Sequence, residues 1–300
     1  MINVKGVISP IITAFTEGGE IYEKGIRNLI DFLSEKGVHG LFAIGSYGSF
    51  PLMSTQERMN AAKIIISHAK KRCLQIIIHV GSPSTKTSIY LAQHAESAGA
   101  DIVAGVVPFY YSSFGYDEAS ILKHYEKIVN SVRIPVHYYN NPRTTGYTLT
   151  PSFFSKLIDV GVTGVKDSGA NMATFGEMMN IINKKMPDFN LLPGSASILL
   201  PGFMLGAKGC VAGTSTAFPE IVVALYNSIM NGDFEAATEL QLKVIQARAF
   251  QGIKPLRAVV CYDILKMKGL DVGTCREPWS RLNSDEYTRL YNNLKEHGFI

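Results

Sequence analysis

Cysteine is scarce in this chain, and so is charge. Cys73, Cys210, Cys261 and Cys275 are scattered through 300 residues, with no CxxC pair and no histidine at zinc-finger spacing. The pattern offers neither a disulfide scaffold nor a structural zinc site, and reduced thiols in a cytoplasmic protein are expected. Cys210 sits in an apolar run and is expected to pack in the core. Charged residues make up 18% of the chain, with a net charge of +4. The basic residues are dispersed apart from Lys70-Lys71-Arg72 and Lys184-Lys185, which fall near the ends of predicted helices, where cations favour the helix dipole. A nucleic-acid partner would want a continuous basic face, so none is expected. No apolar run approaches the ~18 residues of a membrane span. The first residues, Met1 to Lys5, offer no apolar core ahead of a cleavage site, so no secretory leader is expected. Gly18-Gly19 does not supply the G-x-G-x-x-G of a dinucleotide fold. Gly206-Ala207-Lys208-Gly209 precedes the last strand, on the wrong face for a barrel phosphate site. Asp101 and Asp167, at strand ends, lack the partners of a metal site.

What is there is a rhythm. Short apolar runs alternate with longer stretches of helical period. Strands are predicted over 7–12, 40–44, 75–79, 102–107, 136–139, 164–166, 190–192 and 209–212. The first helix is expected over 22–36, with Ile26, Leu29, Ile30 and Leu33 on one face. Ser54-Thr55-Gln56-Glu57 is a capping box that opens the next. Further helices begin near Thr85 and Tyr116, and Thr150-Pro151 supplies a cap and a first-turn proline. Eight strand–helix units without a break argue for a parallel sheet closed into a (β/α)₈ barrel. The barrel is expected to occupy 1–232. From 233 to 300 the pattern is helical only, punctuated by Pro255 and Pro278, and reads as an extension of the same domain.

Barrels of this kind place their active sites at the C-terminal ends of the strands. Strand six ends at Lys166, directly after Val162-Thr163-Gly164-Val165. An amine there faces the barrel mouth or core, and burial lowers its pKa, as an amine nucleophile requires. A move from about 10.4 to about 7 corresponds to roughly 4–5 kcal/mol, within the reach of desolvation. Tyr139, at the end of strand five, can relay protons through its phenol. The turn Gly45-Ser46-Tyr47-Gly48 can present backbone amides to a carboxylate. On the residues alone the plainer alternatives stay open: a lysine that ion-pairs at a strand end, a packing tyrosine, an ordinary turn. His79 and His137 read as satisfied core histidines.

Together these segments resemble the dihydrodipicolinate synthase and N-acetylneuraminate lyase family of pyruvate-dependent class I aldolases, which includes 2-keto-3-deoxygluconate aldolase. The similarity covers nearly the whole chain. Gly45-Ser46-Tyr47-Gly48 looks like the family's G-[TS]-T-G and Pro108-Phe109-Tyr110 like its P-[YF]-Y. Tyr139-Asn140-x-Pro142 looks like its Y-N-x-P, and Gly164-Val165-Lys166-Asp167 like its G-[VIL]-K-[DE]. The resemblance implies that Lys166 forms an imine with a 2-oxo acid and that Tyr139 shuttles protons. Ser46 and the amide of Tyr47 would hold the substrate carboxylate. Tyr110 would complete a hydroxyl relay with Ser46 and Tyr139 from a neighbouring subunit. Thr144, Gly194, Ser195 and Val211 are the remaining expected substrate contacts, and no metal or organic cofactor is implied.

Departures from the family pattern bear on the substrate. Tyr47 replaces the usual second threonine. The synthase's arginine two residues after the Y-N-x-P proline corresponds to Thr144. Arg143 is one residue early and, by strand alternation, is expected to point elsewhere. Gly194-Ser195-Ala196-Ser197 lacks the Asp-Glu pair of sialic-acid lyases. The small hydroxyls that remain suit a polyhydroxylated neutral chain, so cleavage of a 2-keto-3-deoxy sugar acid such as 2-keto-3-deoxygluconate is the expected activity. The alternatives are a 2-keto-3-deoxy sugar acid dehydratase, an N-acetylneuraminate lyase-like or dihydrodipicolinate synthase-like enzyme, or a non-catalytic paralogue that binds a 2-oxo acid. The segment from Phe109 to Phe114 places four aromatics in six residues, and a homotetramer built as a dimer of dimers is expected from it.

Overall fold

In the computed structural model, residues 2–111 and 114–300 are described. Ser112 and Ser113, within the aromatic loop read from the sequence, lie outside the described residues, as does Met1. Eight parallel strands form the centre: β1 (Gly6–Pro10), β2 (Gly40–Ala43), β3 (Gln75–His79), β4 (Ile102–Gly105), β5 (Val136–Asn140), β6 (Gly164–Asp167), β7 (Asn190–Pro193) and β8 (Gly209–Val211). Hydrogen-bonded neighbours run β7-β6-β5-β4-β3-β2-β1-β8, and β7 packs against β8 to bring the two ends together. The chain is a (β/α)₈ barrel. Nearly every strand residue is buried, as expected when helices cover one face of a parallel sheet and the other fills the interior.

The helices between the strands follow from local chemistry. In α1 (Glu23–Glu35), Ile26, Leu29, Ile30 and Leu33 are all buried. The capping box of α2 (Thr55–Lys71) forms as read: the Glu57 amide donates to Ser54 Oγ at 3.2 Å and the Ser54 amide to Glu57 Oε2 at 2.8 Å. Next come α3 (Thr85–Ala98) and α4 (Glu118–Val129), the latter capped by Asp117. A single turn, α5 (Pro142–Thr145), follows β5, and Thr150 caps α6 (Pro151–Asp159). The series continues through α7 (Met172–Lys185), α8 (Leu199–Met204) and α9 (Pro219–Met230). Strand four stops earlier than its apolar run suggests. Beyond Gly105 the Val106 amide donates to the ring of His79 (3.3 Å) rather than to a strand neighbour.

After α9 come α10 (Phe234–Phe250), α11 (Arg257–Met267) and α12 (Ser284–Glu296). They are fastened to the barrel by specific bonds. Gln241 of α10 accepts from the Leu200 amide (2.8 Å) and donates to the Ala196 carbonyl (2.9 Å). Tyr262 of α11 donates to the Thr13 carbonyl at 2.6 Å. Arg276 reaches the Leu52 carbonyl (2.8 Å) and Glu57 Oε1 (2.6 Å). These ties bring α10 and α11 over the C-terminal mouth of the barrel.

Candidate active site

The register of β5 on β6 sets Tyr139 directly beside Lys166. Both side chains are buried. The amine Nζ lies 3.9 Å from the ring centroids of Phe42 and of Tyr139, in the corner between two rings set edge to face. Asp167, next in the chain, takes the opposite side of the strand. It accepts from Asn140 Nδ2 (2.6 Å) and the Gly169 amide (3.0 Å), and burial raises its pKa. Lys166 is therefore left without a carboxylate partner among the described residues. Burial pushes its pKa below that of an ordinary lysine, and Tyr139 opposes only part of that shift.

Tyr139 feels opposing influences. Burial pushes the phenol up, but the positive amine and the hydroxyls of Ser46 and Ser168 bring it below its ordinary value. Asn141 Nδ2 also donates to the phenol oxygen at 3.2 Å, and lies 3.4 Å from Ser46 Oγ. Asn141 thus bridges the hydroxyls of Ser46 and Tyr139 within one chain.

The turn after β2 carries Ser46 and Tyr47. It is tight: Ile44 (φ 58°) and Ser49 (φ 56°) both adopt the left-handed conformation, which is costly for a β-branched residue. Gly48 permits this, since any Cβ there would come within 2.9 Å of Ile44 Cα. Its carbonyl accepts from Thr13 Oγ1 at 2.8 Å. The amides of Ser46 and Tyr47 hold no backbone carbonyl among the described residues.

A cavity of about 490 Å³ opens above the lysine, within the size range of small-molecule sites. Ser46, Tyr47, Tyr139, Thr144, Lys166, Gly194, Ser195 and Val211 all line it. Tyr110 does not. It is 75% exposed on the loop after β4 and outside its own chain's cavity. Arg143 is a correction: it lines the cavity. Strand alternation does not govern it, because the backbone turns into α5 immediately after Asn141.

The sequence reading also missed Asn141, Ser168, Arg248 and Arg257 on the same wall. Asn141 carried a usable signal, since it lies two residues beyond Tyr139. Arg248 and Arg257 carried none, because they arrive from the helices after the barrel. Among the described residues no aspartate or glutamate lines the cavity, whereas Lys166, Arg143, Arg248 and Arg257 do. His79 and His137 are buried core residues, kept neutral by desolvation, with His137 lowered to about 3. Among the described residues each keeps one ring nitrogen without a partner, so neither is fully satisfied there. Among the described residues no three His, Cys, Asp or Glu side chains are grouped as metal ligands would be.

A closed parallel barrel with an amine buried at the C-terminal ends of its strands is the site of a barrel enzyme that acts on small molecules. The chain belongs to the dihydrodipicolinate synthetase family, whose profile matches residues 3–297. It is 30% identical over 299 residues to a probable 2-dehydro-3-deoxy-D-pentonate aldolase, YjhH, of Escherichia coli (strain K12), covering 98% of each chain. It is 32% identical over 243 residues to a putative 2-dehydro-3-deoxy-D-gluconate aldolase, YagE, of the same organism, covering 80% of this chain and 79% of that one. A crystal structure of YagE in complex with pyruvate superposes with a TM-score of 0.93 at 29% identity, covering 99% of both chains. The family's members include lyases and aldolases, and the chain is an enzyme of that class.

Proposed function

We propose that the protein is a class I aldolase that cleaves a 2-keto-3-deoxy sugar acid, such as 2-keto-3-deoxygluconate, to pyruvate and an aldehyde. The observation that carries this reading is the buried Lys166 amine, without a carboxylate partner and beside Tyr139. A neutral amine can attack the 2-oxo carbon. Loss of water from the carbinolamine then gives a protonated imine. Tyr139 removes the proton of the C4 hydroxyl, the C3–C4 bonding pair flows into the imine, and the aldehyde departs. Protonation of the enamine at C3 and hydrolysis then return pyruvate and the free lysine. The amides of Ser46 and Tyr47, which donate to no backbone carbonyl among the described residues, suit the substrate carboxylate, as oriented backbone amides do elsewhere. Thr144 and Ser195 offer hydroxyls to the sugar chain. The two Escherichia coli relatives named as aldolases of such acids support the choice of substrate class.

We assign Tyr110 to a neighbouring subunit's site in a homotetramer, a reading supported by its exposed position outside its own chain's cavity. The four free thiols suit a reducing compartment, the cytoplasm.

Pyruvate and borohydride test the mechanism. The expected result is inactivation with one reduced pyruvate attached at Lys166. Labelling at another lysine, or none, would refute it.

A further inference from the structure

Under the proposed function one carboxylate of the substrate sits at the turn after β2. The cavity holds more positive charge than that group uses. Arg143 in α5, Arg248 in α10 and Arg257 at the start of α11 face the same space. Their depth is graded: Lys166 is buried at the floor, Arg248 and Arg257 are half-buried, and Arg143 is exposed at the rim.

Among the described residues four of the seven arginines outside the cavity are matched with acids, and the buried Arg58 donates instead to the carbonyls of Gly81 (3.1 Å) and His79 (3.0 Å). Arg27 pairs with Glu23, Arg72 with Asp31, Arg276 with Glu57 and Arg281 with Asp263. The three cavity arginines pair with no carboxylate among the described residues, and Arg257 Nε is buried without any acceptor. An orphaned buried donor is costly, and like charges gathered in one space repel. The repulsion is felt locally: burial, then Arg257 and Arg143, lower the pKa of Arg248. Tyr47, on the same cavity wall, lies within electrostatic reach of Arg248, Arg257 and Tyr139. Guanidinium groups bind phosphate and carboxylate oxygens through paired N–H donors, so an anion in this position would satisfy the orphaned donor and offset the repulsion.

We infer that the substrate carries a second anionic group, a phosphate ester or a carboxylate, at the end of its carbon chain remote from the 2-oxo acid, held by Arg143, Arg248 and Arg257. The inference rests on the aldolase reading above but replaces its example, since 2-keto-3-deoxygluconate ends in a neutral CH₂OH that would leave the guanidinium groups unused.

Three 2-keto-3-deoxy sugar acids of equal length and configuration, ending in CH₂OH, a phosphate ester or a carboxylate, test it by pyruvate release. The wild-type enzyme should favour one of the two anionic termini over the neutral one by at least about 10-fold in kcat/KM, and which one identifies the group. Arg248→Gln and Arg257→Gln should each lower kcat/KM for that substrate by about 10- to 100-fold, mostly through KM, in keeping with the loss of a charged hydrogen bond. Arg248→Lys keeps the charge and the stem but not the fork, and should lose part of the preference even where the glutamine variant fails to fold. Equal kcat/KM for the three termini, or variants that depress all three alike, would overturn the anion site. Labelling of Lys166 by pyruvate and borohydride alongside that result would leave the aldolase reading standing. Absence of labelling would remove both.

Discussion

The phenol oxygen of Tyr139 is the point at which the proposed chemistry is most sensitive to its surroundings. Lys166 and the donated hydrogen bonds favour its charged form, while burial disfavours it. Under the proposed mechanism Tyr139→Phe should keep imine trapping measurable but slow turnover by about 10²–10⁴-fold, the contribution of a placed acid–base group. Asn141 donates to the same oxygen, which stabilises the phenolate. Asn141→Ala should raise the Tyr139 pKa and move the corresponding limb of the pH–kcat/KM profile to higher pH, with kcat lowered by about 2- to 10-fold, the worth of one neutral hydrogen bond. An unmoved profile would assign Asn141 to the turn alone. Lys166 has the opposite requirement. Its amine must be neutral to attack, so its lowered pKa makes activity rise with pH at a lower value than an ordinary lysine would allow. Lys166 and Tyr139 were legible because they stand at the ends of short apolar strands within recognisable motifs. Asn141 occupies the variable position of one of those motifs, and only the period-two geometry of a strand would have selected it.

Helix α2 shows how far a local signal reaches. Its capping box could be read from four consecutive residues. The second role of Glu57 could not, because its partner Arg276 is 219 residues away. That ion pair, ahead of the Ser54 cap, holds the Glu57 pKa at about 2 rather than 4.5. A carboxylate whose pKa is depressed on folding stabilises the protein above its unfolded value and loses that contribution as pH falls toward the folded one. Stability should therefore drop between pH 4.5 and about 2, and Glu57→Gln should flatten that part of the curve while lowering stability at neutral pH. Urea midpoints at the two ends of the interval would show it. The strand boundaries were less legible than the helix start. At β4 the apolar run continues to Val107, but the ring of His79 takes the next amide and ends the pairing.

Across the whole molecule the barrel was legible, because eight apolar runs at regular intervals leave few other ways to bury so many strands. The outer half of the cavity was not, because α10 and α11 bring Arg248 and Arg257 across the mouth from a segment with no barrel rhythm. The loop after β4 remains unaccounted for by the single chain. Tyr110, Tyr111 and Phe114 are 75%, 55% and 87% exposed, an unusual concentration of bare aromatic surface. If that surface is a subunit contact, light scattering at micromolar concentration should give the mass of a tetramer. Mixing inactive Lys166→Ala with inactive Tyr110→Phe protomers should then restore partial activity through hybrid sites. A fully active monomer would refute the assembly.

The lack of any acidic side chain among the described residues of the cavity wall has a kinetic consequence as well. A recess lined with one sign of charge focuses its field outward and draws oppositely charged molecules in, faster at low ionic strength than at high. The same field acts on what leaves. Pyruvate is itself an anion, so the attraction that hastens capture also retards its escape. Salt should accordingly slow arrival and speed departure, and the step that limits turnover can pass from release to capture as the medium changes.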